Sequence, residues 1–327
     1  MRLIARSEVE RLLPVGACVD VMRRAMTETS ARKVLLPIRQ FMPVPGAPGK
    51  LAIMPGAMQD PACFGIKLVC KYDRPHGDPL GTHVGMVMLF DSAKGVPLAM
   101  IEGSSLTAIR TSAASALATD VLARKDARRL AILGNGEQAA RHVHAMRAVR
   151  DIDHVTVWGR DPARAADFAE AMAAETGLPV VSAASAEAAV AGADIVCTTT
   201  AAKEPVLGGA ALEPGMHVNL VGSAVPTTAE VDAVAVQRSR FYVDYREAAM
   251  AAAGELLMAI AAGAVREDHV IGEIGEVLLG RADGRQTDQD ITLYKSLGVS
   301  SQDLAAAHAV WESAEKENAG QSYDLLD

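Results

Sequence analysis

Two kinds of residue in this sequence carry chemistry. The first is the run Leu130-Ala131-Ile132-Leu133-Gly134-Asn135-Gly136-Glu137-Gln138-Ala139. An apolar strand enters a GxGxxA turn and a helix follows. Gly134 permits the tight turn, Gly136 lets backbone approach a pyrophosphate, and Ala139 lets helix and strand pack closely. The N-terminus of that helix would face phosphates with its positive end. A second strand follows about 20 residues on and ends Val157-Trp158-Gly159-Arg160-Asp161-Pro162. An acid in this slot would hold ribose hydroxyls and favour NAD. Gly159-Arg160 stands there instead, and arginine suits a 2′-phosphate, so the lean is to NADP with NAD as the alternative. Asp161 is placed to cap a helix beginning at Pro162.

The second kind is cationic. Phe64–Tyr72 alternates, with Phe64, Ile66, Leu68 and Cys70 on one face and Lys67, Val69 and Lys71 on the other. Arg110 falls off the apolar stripe of a helix, and Arg39 follows Pro37-Ile38. Taken singly, Lys67 and Lys71 read as solvated lysines and Arg110 as a surface arginine, Arg39 is ambiguous, and Glu102 reads as a polar strand end. The eight histidines show no metal-ligand spacing. His142 and His144, two apart on a helix, do not share a face.

These residues need elements to hold them. Ser7-Glu8-Val9-Glu10 has capping-box spacing, with Ser7 as N-cap, and two short helices end near Lys33. Strand-like runs follow at Ile38–Met42, Leu51–Met54, Phe64–Tyr72, Val84–Phe90 and Pro97–Ile101, without intervening helices, so a mixed or antiparallel sheet is expected. A long helix capped at Ser104-Ser105 runs to about Arg124. From Arg129, short apolar strands alternate with helices, the pattern of a parallel, doubly wound sheet. The fold class is therefore α/β: a Rossmann-type domain over 116–299 plus a second, α+β domain over 1–115, completed by a C-terminal helix within 300–327.

Composition narrows the function. The chain has 327 residues, half of them hydrophobic, with a net charge of −8 and 4% aromatics. That excludes global disorder, a nucleic-acid-coating surface and a base-stacking platform. No apolar run reaches the roughly 20 residues of a membrane span, the N-terminus lacks a signal-peptide stretch, and four scattered cysteines suit a reducing compartment. The expectation is a cytoplasmic protein with no nucleic-acid or membrane partner.

Together the fragments resemble the ornithine cyclodeaminase/mu-crystallin family over nearly the whole chain. The resemblance is carried by Arg39, Met54-Pro55, Gly65-Ile66-Lys67, Gly81-Thr82-His83, Leu89-Phe90-Asp91 and Thr107-Ala108-Ile109-Arg110-Thr111-Ser112-Ala113-Ala114. The glycine-rich turn, Asn219-Leu220-Val221-Gly222-Ser223 and Lys295-Ser296-Leu297-Gly298 complete it. It implies a homodimer whose Rossmann domain binds NAD(P)H and whose other domain takes a small imino or amino acid and dimerises. It implies that Arg39, Lys67 and Arg110 bind the substrate carboxylate, with Lys67 the proton donor. Thr82, His83, Arg110 and Thr111 would lie beside cofactor or substrate. Gly134, Gly136, Glu137, Gln138, Arg160, Thr199, Gly222 and Ser223 would line the dinucleotide, and Lys295-Ser296 would close over the nicotinamide.

Cyclodeaminases of the family carry an aspartate just after the strand ending in Val-Gly; here Ala224 follows Ser223 and can neither accept a proton nor bind an ammonium. Imine reduction is thus favoured over a cyclodeaminase-type lyase with tightly bound NAD, and the presence of Lys67, Arg110 and Arg39 favours it over a non-catalytic crystallin-like nucleotide- or ligand-binding role. Burial and neighbouring cations are expected to bring Lys67 from about 10.4 to about 7.5–8, the bound carboxylate partly opposing. Lys71, on the same face, is the candidate for a second carboxylate, as in an imine of a C4 dicarboxylate such as iminosuccinate; a cyclic imino acid is the alternative substrate.

Overall fold

The computed structural model describes residues 1–75, 78 and 80–324. In chain order the first elements are β1 (Arg2–Ile4), α1 (Arg6–Leu12), α2 (Val15–Ser30), β2 (Val34–Leu35), β3 (Gln40–Pro43), β4 (Lys50–Met58), β5 (Cys63–Lys71), β6 (His83–Asp91), β7 (Pro97–Glu102) and α3 (Gly103–Leu122). Next come β8 (Arg129–Leu133), α4 (Glu137–Arg147), β9 (His154–Trp158), α5 (Pro162–Thr176), β10 (Val180–Ser182), α6 (Ala186–Val190), β11 (Ile195–Thr198), β12 (His217–Leu220), α7 (Ala233–Arg238) and β13 (Arg240–Val243). The chain closes with α8 (Arg246–Ala252), α9 (Gly254–Ala261), β14 (Val270–Glu273), α10 (Ile274–Leu278), β15 (Thr292–Lys295), α11 (Ser300–Glu317) and β16 (Gln321–Ser322).

The chain divides into two compact units, 1–110 with 298–327 and 111–297, and the division falls inside α3 at Arg110/Thr111. The C-terminal segment expected to complete the first domain extends to residues 325–327, which lie outside the described residues.

The first unit is a mixed sheet in the order β16-β1-β7-β6-β5-β4-β2, with β3 also on β4. β4 to β7 form an antiparallel meander, while β1 runs parallel to β7. Helix α11 packs on β4, β5 and β6 and against α2. Gly56 and Gly65 face each other in register. A Cβ at Gly56 would lie 2.6 Å from Ser300 Oγ, and one at Gly65 2.8 Å from Leu304 Cδ2. Two bare strand positions thus let the first turn of α11 sit directly on the sheet.

The second unit is an all-parallel sheet in the order β10-β9-β8-β11-β12-β15-β13-β14. The order reverses between β8 and β11, the switch point where open α/β sheets bind ligands. Its central strands β8, β11 and β12 are buried, with Leu130, Ile132, Val196 and Val218 0–1% exposed.

Two helix caps lie off the expected residues and a third falls on the expected one. α1 is capped at Ala5 rather than Ser7, and Glu8 accepts the Ala5 amide at 3.1 Å, because the chain has only just left β1. Ser104 and Ser105 lie inside α3, and the cap is Glu102, which accepts from Ser104 N at 2.7 Å and Ser105 N at 3.0 Å. Burial would raise the Glu102 pKa, but these hydrogen bonds outweigh it and hold it below the usual carboxylate value. Asp161 caps α5 as expected, accepting from the Ala163 and Arg164 amides. Among the described residues no helix is long and apolar enough to cross a membrane, and no His/Cys/Asp/Glu group could hold a metal.

Candidate active site

The cationic face of β5 is the inward one. Lys67 is 3% exposed, whereas Phe64 on the opposite face is 37% exposed. The solvated-lysine reading therefore fails for Lys67, because α11 covers that face and supplies Asp303, itself 1% exposed. Lys67 Nζ lies 2.7 Å from the Asp303 carboxylate. Arg110 reaches the same group from α3, with Nε 2.9 Å from Asp303 Oδ1 and Nη1 2.9 Å from Gln302 Oε1. Arg39, just ahead of β3, donates from Nη2 to the Gly298 carbonyl at 2.7 Å. Gly298 has φ +75°, and a Cβ there would lie 2.6 Å from Arg110 Nη1. Only glycine combines that backbone with a guanidinium laid across it.

The first unit thus gathers Lys67 and Arg110 on one carboxylate, with Arg39 held close by on the Gly298 carbonyl. Burial lowers the Lys67 pKa to about 7; Asp303 opposes this, while Arg110 and Arg39 add to it. For Asp303, burial would raise the pKa, but Arg110 and Lys67 outweigh it and hold the group below its ordinary value. An amine poised near neutrality beside fixed guanidinium groups can grip a carboxylate and exchange a proton.

Lys71 sits at the exposed end of β5, in cross-strand register with Lys50 and His83. His83 is also exposed, and its Nδ1 is 2.8 Å from Thr82 Oγ1. Thr111, next to Arg110, is buried.

In the second unit the glycine-rich turn has the geometry a dinucleotide requires. Gly134 has φ +119°, and a Cβ would lie 2.7 Å from Thr199 Oγ1, so Thr199 backs the turn. At Gly136 a Cβ would meet nothing within 4 Å. Gly136 is the N-cap of α4 and gives it no side-chain cap. Glu137 is exposed, while Gln138 Oε1 is buried without a hydrogen-bond partner, as is Ser296 Oγ. Open space at a helix N-terminus and orphaned buried oxygens fit a dinucleotide. Arg160 is exposed just past β9, and Gly159 leaves room for the Asn135 side chain, whose Cγ would lie 3.0 Å from a Cβ there.

Gly222 and Ser223 follow β12. A buried carboxylate, Glu230, ties this loop to the one after β11: it accepts from Gly222 N at 2.6 Å, Thr200 N at 2.7 Å and Thr198 Oγ1 at 2.7 Å. Lys295 is 0% exposed and donates to the Ser223 carbonyl at 2.7 Å, with Glu255 at 3.0 Å. Its ammonium is therefore committed to holding the Ser223 loop. Ser223 Oγ bonds to Thr228.

Sequence reasoning missed Asp303, Gln302, Glu230 and Glu255. A signal existed for the first. Asp303 lies on the stripe of α11 that also carries Ala306, Ala307, Val310 and Ala314, all 0% exposed. A carboxylate on a core stripe demands a cationic partner.

Residues 2–318 match the ornithine cyclodeaminase/mu-crystallin family. The chain belongs to that family. It is 34% identical over 328 residues, 99% of this chain and 100% of the relative, to a Delta(1)-pyrroline-2-carboxylate reductase of Bacillus cereus. The Thermococcus litoralis Delta(1)-pyrroline-2-carboxylate reductase, solved with NADH and L-proline, superposes with a TM-score of 0.94 at 32% identity, covering 99% of this chain and 100% of that one. The iminosuccinate reductase of Paracoccus denitrificans, solved with NAD+, gives a TM-score of 0.92 at 29% identity, covering 99% of both chains.

Proposed function

We propose that the protein is an NAD(P)H-dependent reductase of small α-imino acids, yielding the amino acid. The observation that carries this reading is the convergence of buried Lys67 and Arg110 with half-buried Arg39 close by, together with full-length similarity to enzymes named for imine reduction.

Arg110 and Arg39 hold the substrate carboxylate and so fix its α-carbon. Lys67, with a pKa near 7, donates a proton to the imine nitrogen and makes the α-carbon a better hydride acceptor. The dinucleotide, when bound on the Gly134–Gln138 turn, supplies the hydride. The C=N bond becomes CH–NH, and Lys67 is left neutral to be reprotonated. Ala224, where a cyclodeaminase needs an acid, leaves nothing to assist attack by a distal amine.

The substrate class that the relatives favour is a five-membered cyclic imino acid. A dicarboxylate imine is the second reading, favoured by Lys71 standing level with Lys50 and His83. The coenzyme preference is NADPH, since Arg160 and not an acid follows β9.

The outward face of the first unit's sheet supports a homodimer. Phe64 and Phe90 stack at 5.1 Å there, and Met42, Phe64 and Met86 are 49%, 37% and 38% exposed. A second copy would cover it.

The test follows NADPH and NADH absorbance with Δ1-pyrroline-2-carboxylate, with oxaloacetate plus ammonia, and with pyruvate plus ammonia, while ornithine is assayed for ammonia release. Coenzyme consumption with an imine is expected. Ammonia release without net redox change would replace this reading with the lyase, and silence in every assay would remove it.

A further inference from the structure

We propose that Asp303 is the positioning residue of this site: from α11 it fixes Lys67 and Arg110 to one carboxylate and keeps the Lys67 ammonium protonated until the substrate nitrogen takes its proton. The proposal rests on the imine-reductase reading for the proton's destination, and on geometry for the rest.

Three observations carry it. Asp303 is 1% exposed, so water does not compete for its oxygens. It accepts from Lys67 Nζ at 2.7 Å and from Arg110 Nε at 2.9 Å, two side chains that elements distant in sequence deliver to it. It also spends the Nε edge of Arg110, and Gln302 takes Nη1. The guanidinium is thereby held in one orientation before any substrate arrives.

Among the described residues, the titratable and charged groups facing Lys67 are Asp303 from α11, Arg110 from α3, Arg39 ahead of β3 and His83 on β6, with Lys71 acting on His83 from further along the strand. Asp303 is the anion among them. Without it, burial and the two arginines would all act in the same direction, and Lys67 would be neutral at pH 7, able to accept a proton but not to give one. Substrate carboxylate alone would then have to restore the charge, and the donor would not be ready on arrival.

The experiment titrates Lys67 directly in the full-length protein. Lysine is labelled with 13C at Cε, the Lys67 resonance is assigned by its loss in Lys67→Met, and its shift is followed against pH in the wild type, Asp303→Asn and Asp303→Glu. A midpoint near 7 is expected in the wild type. Asp303→Asn should lower it by at least about one unit, and Asp303→Glu should return it to within about half a unit. The pH profile of kcat/KM for imine reduction should move with it: the alkaline limb of Asp303→Asn shifts to lower pH by the same amount. A packing role alone would change Tm and leave both midpoints in place. An unchanged Lys67 midpoint in Asp303→Asn overturns the proposal. If that variant does not fold, a wild-type midpoint below about 5.5 overturns it instead, since Lys67 would then be neutral at pH 7 with Asp303 in place. The titration needs no turnover, so absence of imine reduction would sink the functional reading while the midpoints still decide this one.

Discussion

Lys67 is the residue on which the chemistry turns. Lys67→Ala should lose at least about 100-fold in kcat, the usual worth of a positioned acid, while the dinucleotide Kd stays within about twofold by fluorescence titration. Near-normal turnover would remove its assignment as donor. Arg160→Ser should raise KM for NADPH about tenfold or more and leave KM for NADH nearly unchanged; equal effects would place the arginine outside coenzyme choice. The two residues differ in how legible they were. Lys67 announced its facing through strand alternation, but alternation cannot say which face is covered. Here the covered face is the charged one, because the helix that covers it carries Asp303. Arg160 stands just past the second strand of the dinucleotide-binding pattern, and its position could be read from where that strand ends.

At the level of elements, the site depends on how closely α11 lies on the sheet. Gly65→Ala would put a Cβ 2.2 Å from Met88 O and 2.8 Å from Leu304 Cδ2. We expect it to cost about 1–3 kcal/mol by overpacking, read as a fall in denaturation midpoint, with a further loss of kcat as Asp303 is carried off Lys67. Gly298→Ala combines the strain of φ +75° with a clash at Arg110 and should raise the imino-acid KM more than it lowers Tm. A KM unchanged in both variants would show the helix contact to be incidental. Strand and helix positions in this region were readable because apolar periodicity and Pro/Gly punctuation are local. The pairing of Gly56 with Gly65 beneath α11 was not, since register and helix docking are long-range properties that no window of sequence contains. β15 depends on contacts of the same long-range kind: Thr292–Lys295 ends in a lysine that is buried because Glu255 neutralises it and the Ser223 carbonyl accepts from it.

Over the whole molecule, the two fully buried histidines of the second unit bear on acid stability and the outward sheet face of the first unit bears on association. Burial lowers His142 to about 4 and His217, with Arg285 adding, to about 3. Both stay neutral when folded, so the unfolded chain binds more protons below its ordinary histidine value of about 6.5. Their contribution is intact above that value and is lost as pH falls toward the folded values, on the order of 3 kcal/mol each. Urea denaturation at pH 7.0, 5.5 and 4.5 should show this slope, and His142→Gln should flatten it; an identical slope would assign acid sensitivity elsewhere. Phe64→Glu should convert a dimer to monomer in sedimentation equilibrium without changing the dinucleotide Kd, and a variant that still sediments as the wild type would move the interface away from this face. The order of the chain carries one more consequence. Asp303 meets Lys67 although the two stand 236 positions apart in sequence. During synthesis the cation-bearing strands therefore leave the ribosome long before their counter-charge, so the nascent first unit waits with an unneutralised lysine, and an unfinished polypeptide cannot hold a completed proton donor.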